Sequence, residues 1–322
     1  MFSLEELKAA QGLVYSQMSP TAQIEWPQLA AETGVRVVVK HENHAPTGAF
    51  KVRGGITFLD WVTRDHPEAR GIITATRGNH GQSQARAASA VGLTAKVFAP
   101  HGNSVEKNAA MRAYGADLVE FGADFDEARQ EAMRIAKAGD YLPVPPFHRE
   151  LVRGVATYGV ELFTAHPDLD TVYVPIGCGS GICGVIAARD ALGLDCDIVG
   201  VVSDQAAGAK LSLDAGHLVE TNAANTFADG MAVRVPVQAA FDIYAKGAAR
   251  IVTVTDGEIA AAIRLYFRAI HNVAEGAGAA PLAALIQERD AMAGRKVGVI
   301  LSGGNIDTGW YETVLSGAIP TL

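Results

Sequence analysis

Residues 44–55 read HAPTGAFKVRGG, a turn that runs into the start of a helix. Pro46 and Gly48 prepare the turn, and Lys51 then stands at what the pattern predicts to be a helix N-terminus. A lone lysine in a helix cap is usually an ordinary surface residue. Here the positive end of a helix and a partly desolvated position would both favour the neutral amine, which is the form that makes Schiff bases. Lys51 is therefore the first candidate for a reactive residue.

Three further glycine-rich loops each follow an apolar run that reads as a strand. They are TATRGNHGQ at residues 74–82, VPIGCGSGI at 174–182 and ILSGGN at 300–305. At a strand-to-helix turn the backbone N–H groups point into open space, which makes an anion site fit for a carboxylate or a phosphate. Ser180 can add a hydroxyl donor, and Ser302 lies where strand ends meet ligands in open α/β sheets. Each loop taken alone is also compatible with a tight turn that binds nothing.

Short β-branched runs alternate with alanine-rich helical stretches, which predicts an α/β fold with mostly parallel sheets flanked by helices. Some strand-like runs are almost continuously apolar, as expected of strands buried on both faces. The predicted strands are Val35–Val39, Gly71–Thr76, Ala95–Ala99, Asp117–Phe121, Thr171–Ile176, Asp197–Val202, Arg250–Val254 and Lys296–Ser302. The predicted helices are Gln82–Val91, Ser104–Tyr114, Phe125–Lys137, Ile182–Leu192, Asp256–Asn272 and Pro281–Ala293.

A proline-rich stretch, LPVPPF at residues 142–147, predicts a boundary between two lobes, because successive prolines forbid helix and favour an extended connection. The length of 322 residues and the 49% share of hydrophobic residues also suit two lobes. The segment from about Thr47 to this boundary holds a series of strand–helix units. We therefore expect a small domain at 47–146 and a large domain formed by 1–46 together with 147–322.

Composition and charge exclude several classes of partner. Charged residues make up 19% of the chain and the formal net charge is -8, so nucleic acid is not expected as the main partner. No apolar run reaches membrane-spanning length, and residues 1–7 read as an acidic helix start rather than a signal peptide. Cys178, Cys183 and Cys196 offer neither a disulfide framework nor a zinc-like spacing with histidine. A cytoplasmic protein without a metal is the resulting expectation.

The four stretches quoted above, taken with TFADG at residues 226–230 and EGAGA at 275–279, resemble one family in residue type and in order. They are similar to the fold type II pyridoxal-phosphate enzymes, and within these to the branch of threonine dehydratase and serine racemase. The motifs span most of the chain. The resemblance implies the two-lobed fold of the tryptophan synthase β type, in which pyridoxal 5'-phosphate lies between a small lobe and a large one.

The resemblance also implies a role for each matching residue. Lys51 carries the cofactor as a Schiff base, with Phe50 packed beside the ring and Asn79 hydrogen-bonded to the phenolic oxygen. Ser302 is the partner of the pyridine nitrogen. The phosphate is cradled by Gly177, Cys178, Gly179, Ser180 and Gly181. The substrate carboxylate is bound by the loop that contains Thr76, Arg77, Gly78, Asn79 and His80.

The chemistry implied by this family is β-elimination, the dehydration and deamination of a small hydroxy amino acid such as threonine or serine. The Lys51 amine takes the Cα proton as general base, the β-hydroxyl leaves after protonation by the cofactor phosphate, and hydrolysis gives a 2-oxo acid and ammonia. A hydroxyl partner does not force protonation of the pyridine nitrogen, which favours loss of a β-leaving group over transamination. Relatives of this kind are usually homodimers, so a homodimer is expected.

Arg77 is the main departure from the family, which has a small residue, often Ser, just before Gly-Asn-His. In racemising relatives that Ser is the second acid/base, and arginine is a poor proton shuttle because it stays charged, so racemase activity is not expected. Arg77 could bind a second carboxylate, as in hydroxyaspartate, or shape a pocket for a bulkier substrate such as phenylserine. It could also point outward and pair with an acidic residue. Ser203-Asp204 stands where metal-binding relatives have Glu-Pro, so no divalent cation is expected.

Other functions stay open at this point. A β-replacement enzyme of the cysteine synthase kind shares the fold, but such enzymes do not usually carry His after Asn, so His80 favours the dehydratase branch. A non-enzymatic binder on the same scaffold would not need the Schiff-base lysine. Nucleotide motifs fail on spacing, because residues 177–181 read G-x-G-x-G in mid-chain and no Gly-Lys-Ser/Thr follows.

Overall fold

Two sheets organise the chain in the computed structural model, which describes residues 1–139 and 141–321. The strands are β1 (Gln23–Glu25), β2 (Arg36–His41), β3 (Gly71–Ala75), β4 (Thr94–Ala99), β5 (Ala116–Glu120), β6 (Leu142–Pro143), β7 (Thr171–Pro175), β8 (Asp197–Ser203), β9 (Arg250–Val254) and β10 (Lys296–Leu301). The α-helices are α1 (Leu4–Tyr15), α2 (Pro27–Thr33), α3 (Lys51–Asp65), α4 (Asn79–Ala90), α5 (Val105–Ala113), α6 (Phe125–Ala136), α7 (Arg149–Ala165), α8 (Ser180–Leu192), α9 (Gly208–Ala215), α10 (Gln238–Gly247), α11 (Asp256–Ile270), α12 (Gly276–Gln287) and α13 (Thr308–Leu315).

The larger sheet has six strands in the order β1-β2-β10-β7-β8-β9, and the smaller has four in the order β5-β4-β3-β6. Every neighbouring pair is parallel except β1 with β2. Both faces of the larger sheet are covered, because Tyr173 of β7 packs into one hydrophobic core whereas Val172 and Val174 pack into another. The predicted α/β class with mostly parallel sheets is confirmed.

The proline-rich stretch at 142–147 belongs in part to the smaller sheet and is not a plain connection. Leu142–Pro143 is β6, the edge strand beside β3, and the Val144 N–H continues the pairing by donating to Ile73 O at 2.9 Å. Proline is tolerated on an edge strand because its missing donor need not serve a neighbour there. The extended conformation was predicted correctly, but its place outside the sheet was wrong. The domain limits at 46/47 and 146/147 stay a prediction.

Three helices begin earlier than the glycine-rich sequence predicts. α4 begins at Asn79 and α8 at Ser180, three and two residues before their predicted starts, and α12 spans Gly276–Gln287 rather than Pro281–Ala293. Pro281 lies inside α12, where it removes a backbone donor and would ordinarily end a helix. Packing explains the tolerance, because every residue from Gly276 to Leu285 is buried and α12 lies against β7 and β10.

α7 packs against α3 and α8, two of the helices that begin with candidate residues. A Cβ on Gly154 would lie 2.2 Å from the carbonyl oxygen of Arg53, and a Cβ on Gly184 would lie 3.0 Å from the backbone nitrogen of Ala156. Because no side chain fits at either contact, α7 approaches both helices at backbone distance. The N-termini of α3 and α8 are thereby held at fixed positions relative to each other.

The acidic N-terminus begins a helix, as the sequence predicts. Ser3 Oγ accepts from the Glu6 N–H at 3.2 Å, and the Glu6 carboxylate accepts from the Ser3 N–H at 2.8 Å, so a capping box opens α1. Among the helices of the described residues, none has both the length and the apolar character that crossing a membrane requires.

Candidate active site

The candidate residues lie where loops from both sheets meet, at the carboxyl ends of parallel strands. The turn before α3 is joined to the loop after β10, because the Phe50 N–H donates to Ser302 O at 3.0 Å. The loop after β3 reaches the same place, because the Asn305 amide donates to Asn79 Oδ1 at 2.7 Å. Residues that are distant in the chain are thus assembled into one site.

Lys51 is the first residue of α3, as the sequence predicts, and its side chain is partly buried. Lys51 Nζ lies 3.3 Å from Ser180 Oγ and 4.9 Å from the centre of the Phe50 ring. Burial lowers the pKa of the amine, and the nearby Cys178 and Glu275 offset that effect only in part. The surroundings of Lys51 therefore favour the neutral amine.

Residues 177–181 form the loop between β7 and α8. Gly179 has a φ of 93° and precedes Ser180, the first residue of α8. In the described part of the chain the backbone N–H groups of residues 177–182 have no acceptor. The Cys178 thiol is neutral, because burial raises its pKa. Free N–H groups at the N-terminus of a helix form a site for a phosphate anion, so the loop fits the role that the resemblance implies.

Ser302 is the first residue after β10 and is almost fully buried. Its carbonyl oxygen accepts the N–H of Phe50, while its hydroxyl makes no hydrogen bond with residues 1–139 or 141–321. The hydroxyl is therefore free for the pyridine nitrogen, the contact that the resemblance implies.

The loop after β3 offers free backbone donors at the start of α4. The Gly78 N–H is not one of them, because it donates to Thr76 Oγ1 at 3.1 Å. The N–H groups of Asn79, His80 and Gly81 have no acceptor among the residues that the structure describes. A substrate carboxylate would therefore be bound by these three groups and not by that of Gly78.

His80 lies within electrostatic reach of Lys51. Its Nε2 is buried and has no hydrogen-bond partner in the described part of the chain. Burial lowers the pKa of His80 to about 3, and the positive charge of Lys51 adds to the effect. The imidazole is therefore neutral and offers a hydrogen bond, but no positive charge, to a ligand.

Arg77 has an exposed side chain. Its carbonyl oxygen accepts a hydrogen bond from the Asn103 amide at 3.2 Å, which fixes the backbone of the loop. Within the two described segments Arg77 forms no ion pair, in contrast to Lys107 beside the same loop. The outward salt bridge that the sequence allowed is not found there, and the guanidinium remains available.

Glu275 is a site residue that sequence reasoning missed, although it opens the EGAGA motif. Its carboxylate accepts from Asn79 Nδ2 at 2.9 and 3.0 Å, and only 4% of the residue is exposed. Burial raises the pKa of Glu275 to about 7, the charge of Asp229 adds to the effect, and Lys107 opposes it. Asn79, the residue expected at the phenolic oxygen of the cofactor, is thus held in place by Glu275. The sequence signal for Glu275 was an acidic residue at the start of a buried helix, but its partner lies 196 residues away along the chain.

A second missed pair joins elements of the two sheets. Lys107 of α5 forms an ion pair with Asp229 of the TFADG stretch, and the lysine side chain is only 7% exposed. Gly78 packs on this lysine, since a Cβ there would lie 2.9 Å from Lys107 Cδ. The pair therefore connects the predicted carboxylate-binding loop with residues 226–230, which are packed on the predicted phosphate loop through Gly177.

Arg53, two residues after Lys51, anchors α3 in a buried cluster of charges. It donates to Glu42 at 2.7 Å and to Glu161 of α7 at 2.6 Å, and Lys40 of β2 donates to Glu161 at 2.5 Å. These four side chains are at most 4% exposed. Burial alone would raise the pKa of Glu161, but Arg53 and Lys40 hold it below its ordinary value. The two positive and two negative charges fix the N-terminus of α3 on the larger sheet.

Neither a cysteine pair nor a cluster of metal-ligating side chains is found in the part of the chain that the structure describes. Cys178, Cys183 and Cys196 are free thiols. Residues 1–139 and 141–321 contain no group of three His, Cys, Asp or Glu side chains arranged to hold a metal ion. Ser203-Asp204 stands where metal-binding relatives have Glu-Pro. The Ser203 hydroxyl accepts the Gln205 N–H at 3.2 Å and so caps a short 3-10 helix.

A lysine with a lowered pKa, a loop of free N–H groups and the nearby hydroxyl of Ser302 fit a phosphorylated aldehyde cofactor. Residues 14–303 match the family described as "Pyridoxal-phosphate dependent enzyme". The chain belongs to this family, and its cofactor is pyridoxal 5'-phosphate.

Several relatives with named activities are similar to this chain over most of its length. L-threonine ammonia-lyase of Thermotoga maritima is 32% identical, over 98% of this chain and 79% of the relative. L-threonine ammonia-lyase of Geobacter sulfurreducens is 38% identical, over 88% and 70%. L-threo-3-hydroxyaspartate ammonia-lyase of Saccharomyces cerevisiae is 29% identical, over 88% and 87%. The processed form of threonine deaminase isoform 2 from Solanum lycopersicum superposes with a TM-score of 0.90 at 28% identity, covering 98% of this chain and 95% of that one, which confirms the predicted fold.

Proposed function

We propose that the chain catalyses the elimination of water from a small hydroxy amino acid such as threonine or serine, giving a 2-oxo acid and ammonia. The observation that carries the proposal is the Lys51 amine, whose pKa burial lowers, held 3.3 Å from Ser180 at the start of a helix with free N–H groups. The two relatives named L-threonine ammonia-lyase support this choice of reaction.

Each part of the site has a task in this reaction. Pyridoxal 5'-phosphate supplies, when bound, the electron sink that accepts charge from the substrate Cα. Lys51 holds the cofactor, and its neutral amine then takes the Cα proton as general base. The free N–H groups of residues 79–81 bind the substrate carboxylate and direct the Cα–H bond toward Lys51. His80 adds an uncharged hydrogen-bond partner, and Ser302 is the neutral partner of the pyridine nitrogen.

A dicarboxylic substrate such as 3-hydroxyaspartate is the second candidate. Arg77 favours it, because an exposed guanidinium without an acidic partner in the described residues can bind a second carboxylate in a bidentate manner. The relative named L-threo-3-hydroxyaspartate ammonia-lyase also supports it. Phenylserine would instead need Arg77 to border a pocket for a ring.

An ammonia-release screen tests the function and separates these substrates. Cofactor-loaded wild type is assayed with L- and D-serine, L- and D-threonine, 3-hydroxyaspartate and phenylserine, and with O-acetylserine plus a thiol for β-replacement. The same panel is run on Arg77→Ser. Arg70→Ser is the matched control, because Arg70 is also exposed and lies at the opposite end of β3.

The outcomes are distinct. Ammonia release from serine or threonine supports the proposed function, and a preference for hydroxyaspartate that only Arg77→Ser abolishes supports the second candidate. Absence of ammonia from every hydroxy amino acid, with the visible band of the bound cofactor present, would rule out dehydration. Formation of a thioether amino acid in that case would identify a β-replacement enzyme.

We further infer a homodimer in the cytoplasm that acts on a small amino acid and not on nucleic acid or a membrane. Its domains are expected at 47–146 and at 1–46 plus 147–322. Three free thiols support a reducing compartment. Light scattering of the holoenzyme tests the dimer. A monomer at assay concentration that keeps full activity would contradict it.

A further inference from the structure

Ser180 occupies a position that phosphate binding alone does not explain. It is the first residue of α8, 3% of it is exposed, and its hydroxyl lies 3.3 Å from Lys51 Nζ. In the described part of the chain this is the one hydrogen bond of the Lys51 amine. Lys51 itself is the first residue of α3. The hydroxyl therefore stands where the N-termini of two helices meet.

The hydroxyl has the capacity for two contacts at once. A serine hydroxyl donates one hydrogen bond and accepts two, whereas a lysine ammonium group only donates. When Lys51 is protonated, Ser180 Oγ must accept from it, so the Ser180 O–H is left to donate elsewhere in the site. Because Ser180 Oγ is the one hydrogen-bond partner of the partly buried Lys51 amine in the described residues, a proton on Lys51 has this hydroxyl as its nearest path to another acceptor.

We propose that Ser180 is a catalytic residue that carries the proton taken by Lys51 to the departing hydroxyl group. This inference rests on the proposed function and deepens it. Lys51 takes the Cα proton, and the electron pair of the Cα–H bond forms the Cα–Cβ double bond. The ammonium then gives a proton to Ser180 Oγ while the Ser180 O–H proton passes to the β-oxygen. The Cβ–O bond breaks, water leaves with its electron pair, and Lys51 and Ser180 return to their starting states.

The leaving group provides the test. β-Chloroalanine loses chloride, which needs no proton, whereas serine must lose its hydroxyl as water. Ser180→Ala is therefore expected to lower kcat for the hydroxy amino acid by about a hundredfold, in the range of general acid catalysis, and to leave kcat for β-chloroalanine nearly unchanged. Ser180→Thr keeps a hydroxyl and is expected to recover most of the lost rate.

Two further readouts exclude roles other than proton transfer. The dissociation constant of the cofactor is measured from its visible absorption, as is the rate at which L-alanine, which has no leaving group, displaces Lys51. The exchange rate is expected to change less than threefold in Ser180→Ala. The dissociation constant of the cofactor is expected to rise, because one phosphate donor is lost, so both kcat values are measured at saturating cofactor. Ser212→Ala is the matched control, because Ser212 is a fully buried serine of α9 that donates to Gly208 O at 2.7 Å, outside the site.

Each remaining result decides the matter. Equal slowing of both eliminations and of the L-alanine exchange would mean that Ser180 only positions Lys51. A weaker cofactor affinity with an unchanged kcat at saturation would mean that it only binds phosphate. Either result would overturn the proposed proton transfer from Lys51 through Ser180. Wild type that eliminates chloride but releases ammonia from no hydroxy amino acid would instead overturn the proposed function itself.

Discussion

Glu275 shows how far the site changes the chemistry of a single residue. Its carboxyl group is buried against Asn79, and burial raises its pKa to about 7. The protonated acid is therefore stable in the fold at low pH, and the carboxylate forms only as the pH rises through about 7. Asn79 meets an uncharged partner below this pH and an anion above it.

Glu275→Gln is expected to remove this titration. The amide keeps one oxygen to accept from Asn79 Nδ2, so cofactor binding should persist. The visible spectrum and kcat of wild type should change with a midpoint near pH 7, and the variant should lose that step. Absorption and kcat across the neutral range check it. An unchanged midpoint in the variant would assign the titration to another group.

His41 gives a pH dependence of stability that is independent of the site. Burial, with the nearby His44, lowers its pKa to about 4 from an ordinary value of 6.5. The neutral form is thus favoured in the fold, so the stabilisation is complete above the unfolded pKa and is lost as the pH falls toward the folded one. Between about pH 7.5 and about pH 5.5 this amounts to about 1.4 kcal/mol.

His41→Gln is expected to reduce the acid sensitivity of the fold by that amount. Glutamine retains an acceptor for the Trp26 N–H, which donates to His41 Nε2 at 3.0 Å. Urea unfolding of wild type and variant at the two pH values gives the difference. If wild type and variant lose the same unfolding free energy on acidification, the lowered pKa of His41 is contradicted.

The sequence indicated candidate site residues best where the chemistry lies within one short stretch. Lys51 after a Pro-Gly turn and the loop at 177–181 carry their signals locally, and both lie in the site. Glu275 and Lys107 were missed because each has its meaning only through a partner far along the chain, Asn79 and Asp229. The Gly78 N–H was expected to be free, but the hydroxyl of Thr76 accepts it, a detail that no spacing rule contains.

At the scale of elements, the start of α3 is held by the buried cluster of Arg53, Glu42, Glu161 and Lys40. Arg53→Met would leave the two carboxylates with a single lysine in a buried place. Breaking a buried pair in this way costs about 3–5 kcal/mol. Arg53→Met is therefore expected to lower the free energy of unfolding by that amount, and urea unfolding measures it.

The matched control for this prediction is an exposed ion pair on another helix. Arg129 lies 3.6 Å from Asp126 with more than half of its side chain exposed, so Arg129→Met should cost less than about 1 kcal/mol. Equal effects of the two substitutions would show that burial does not strengthen the Arg53 cluster. The visible absorption of the bound cofactor should also weaken in Arg53→Met, because Lys51 is the first residue of α3 and moves with the helix start.

Element boundaries were predicted best where apolar runs are long and flanked by polar turns. β9 has the expected bounds, whereas α12 begins five residues before its prediction. Gly276 and Pro281 signal a loop by local propensity, and burial against the larger sheet overrides it. The same holds for Leu142–Pro143, whose prolines signalled a linker and which pair as an edge strand.

At the scale of the whole molecule, the Lys107–Asp229 ion pair connects the elements of the two sheets. Asp229→Asn would leave Lys107 buried without its partner carboxylate. We expect kcat/KM to fall by at least about tenfold, because the carboxylate-binding loop packs on Lys107, and one lost buried charge pair exceeds the 1.4 kcal/mol of a tenfold effect. Steady-state kinetics check the loss.

Another ion pair between the same two parts of the chain serves as control. Arg234 donates to Asp126 at 2.5 Å, but both side chains are exposed. Arg234→Gln should leave kcat/KM within about twofold, since exposed pairs contribute little. A loss as large as that of Asp229→Asn would mean that any contact between the sheets sets the rate, and that Lys107 has no special part.

The whole-molecule architecture was predictable as a class but not as a topology. Alternating runs predicted mostly parallel sheets, and both sheets of the structure are of this kind. The placement of β10 between β2 and β7, and the antiparallel edge strand β1, could not be predicted, because strand order follows from packing between segments far apart in the chain. Four loops meet at one site because of that strand order. The sequence motifs therefore identified the candidate loops, whereas the geometry between the loops follows from the fold.

The most direct test of β-elimination at Lys51 compares the products of wild type and Lys51→Ala, both loaded with cofactor, on the substrate that the ammonia screen selects. Wild type should release ammonia and 2-oxo acid in equal amounts. Lys51→Ala should release neither at a rate above about a thousandth of wild type, because it lacks the base that takes the Cα proton. Equal release by both proteins, or ammonia without a 2-oxo acid, would contradict elimination at Lys51.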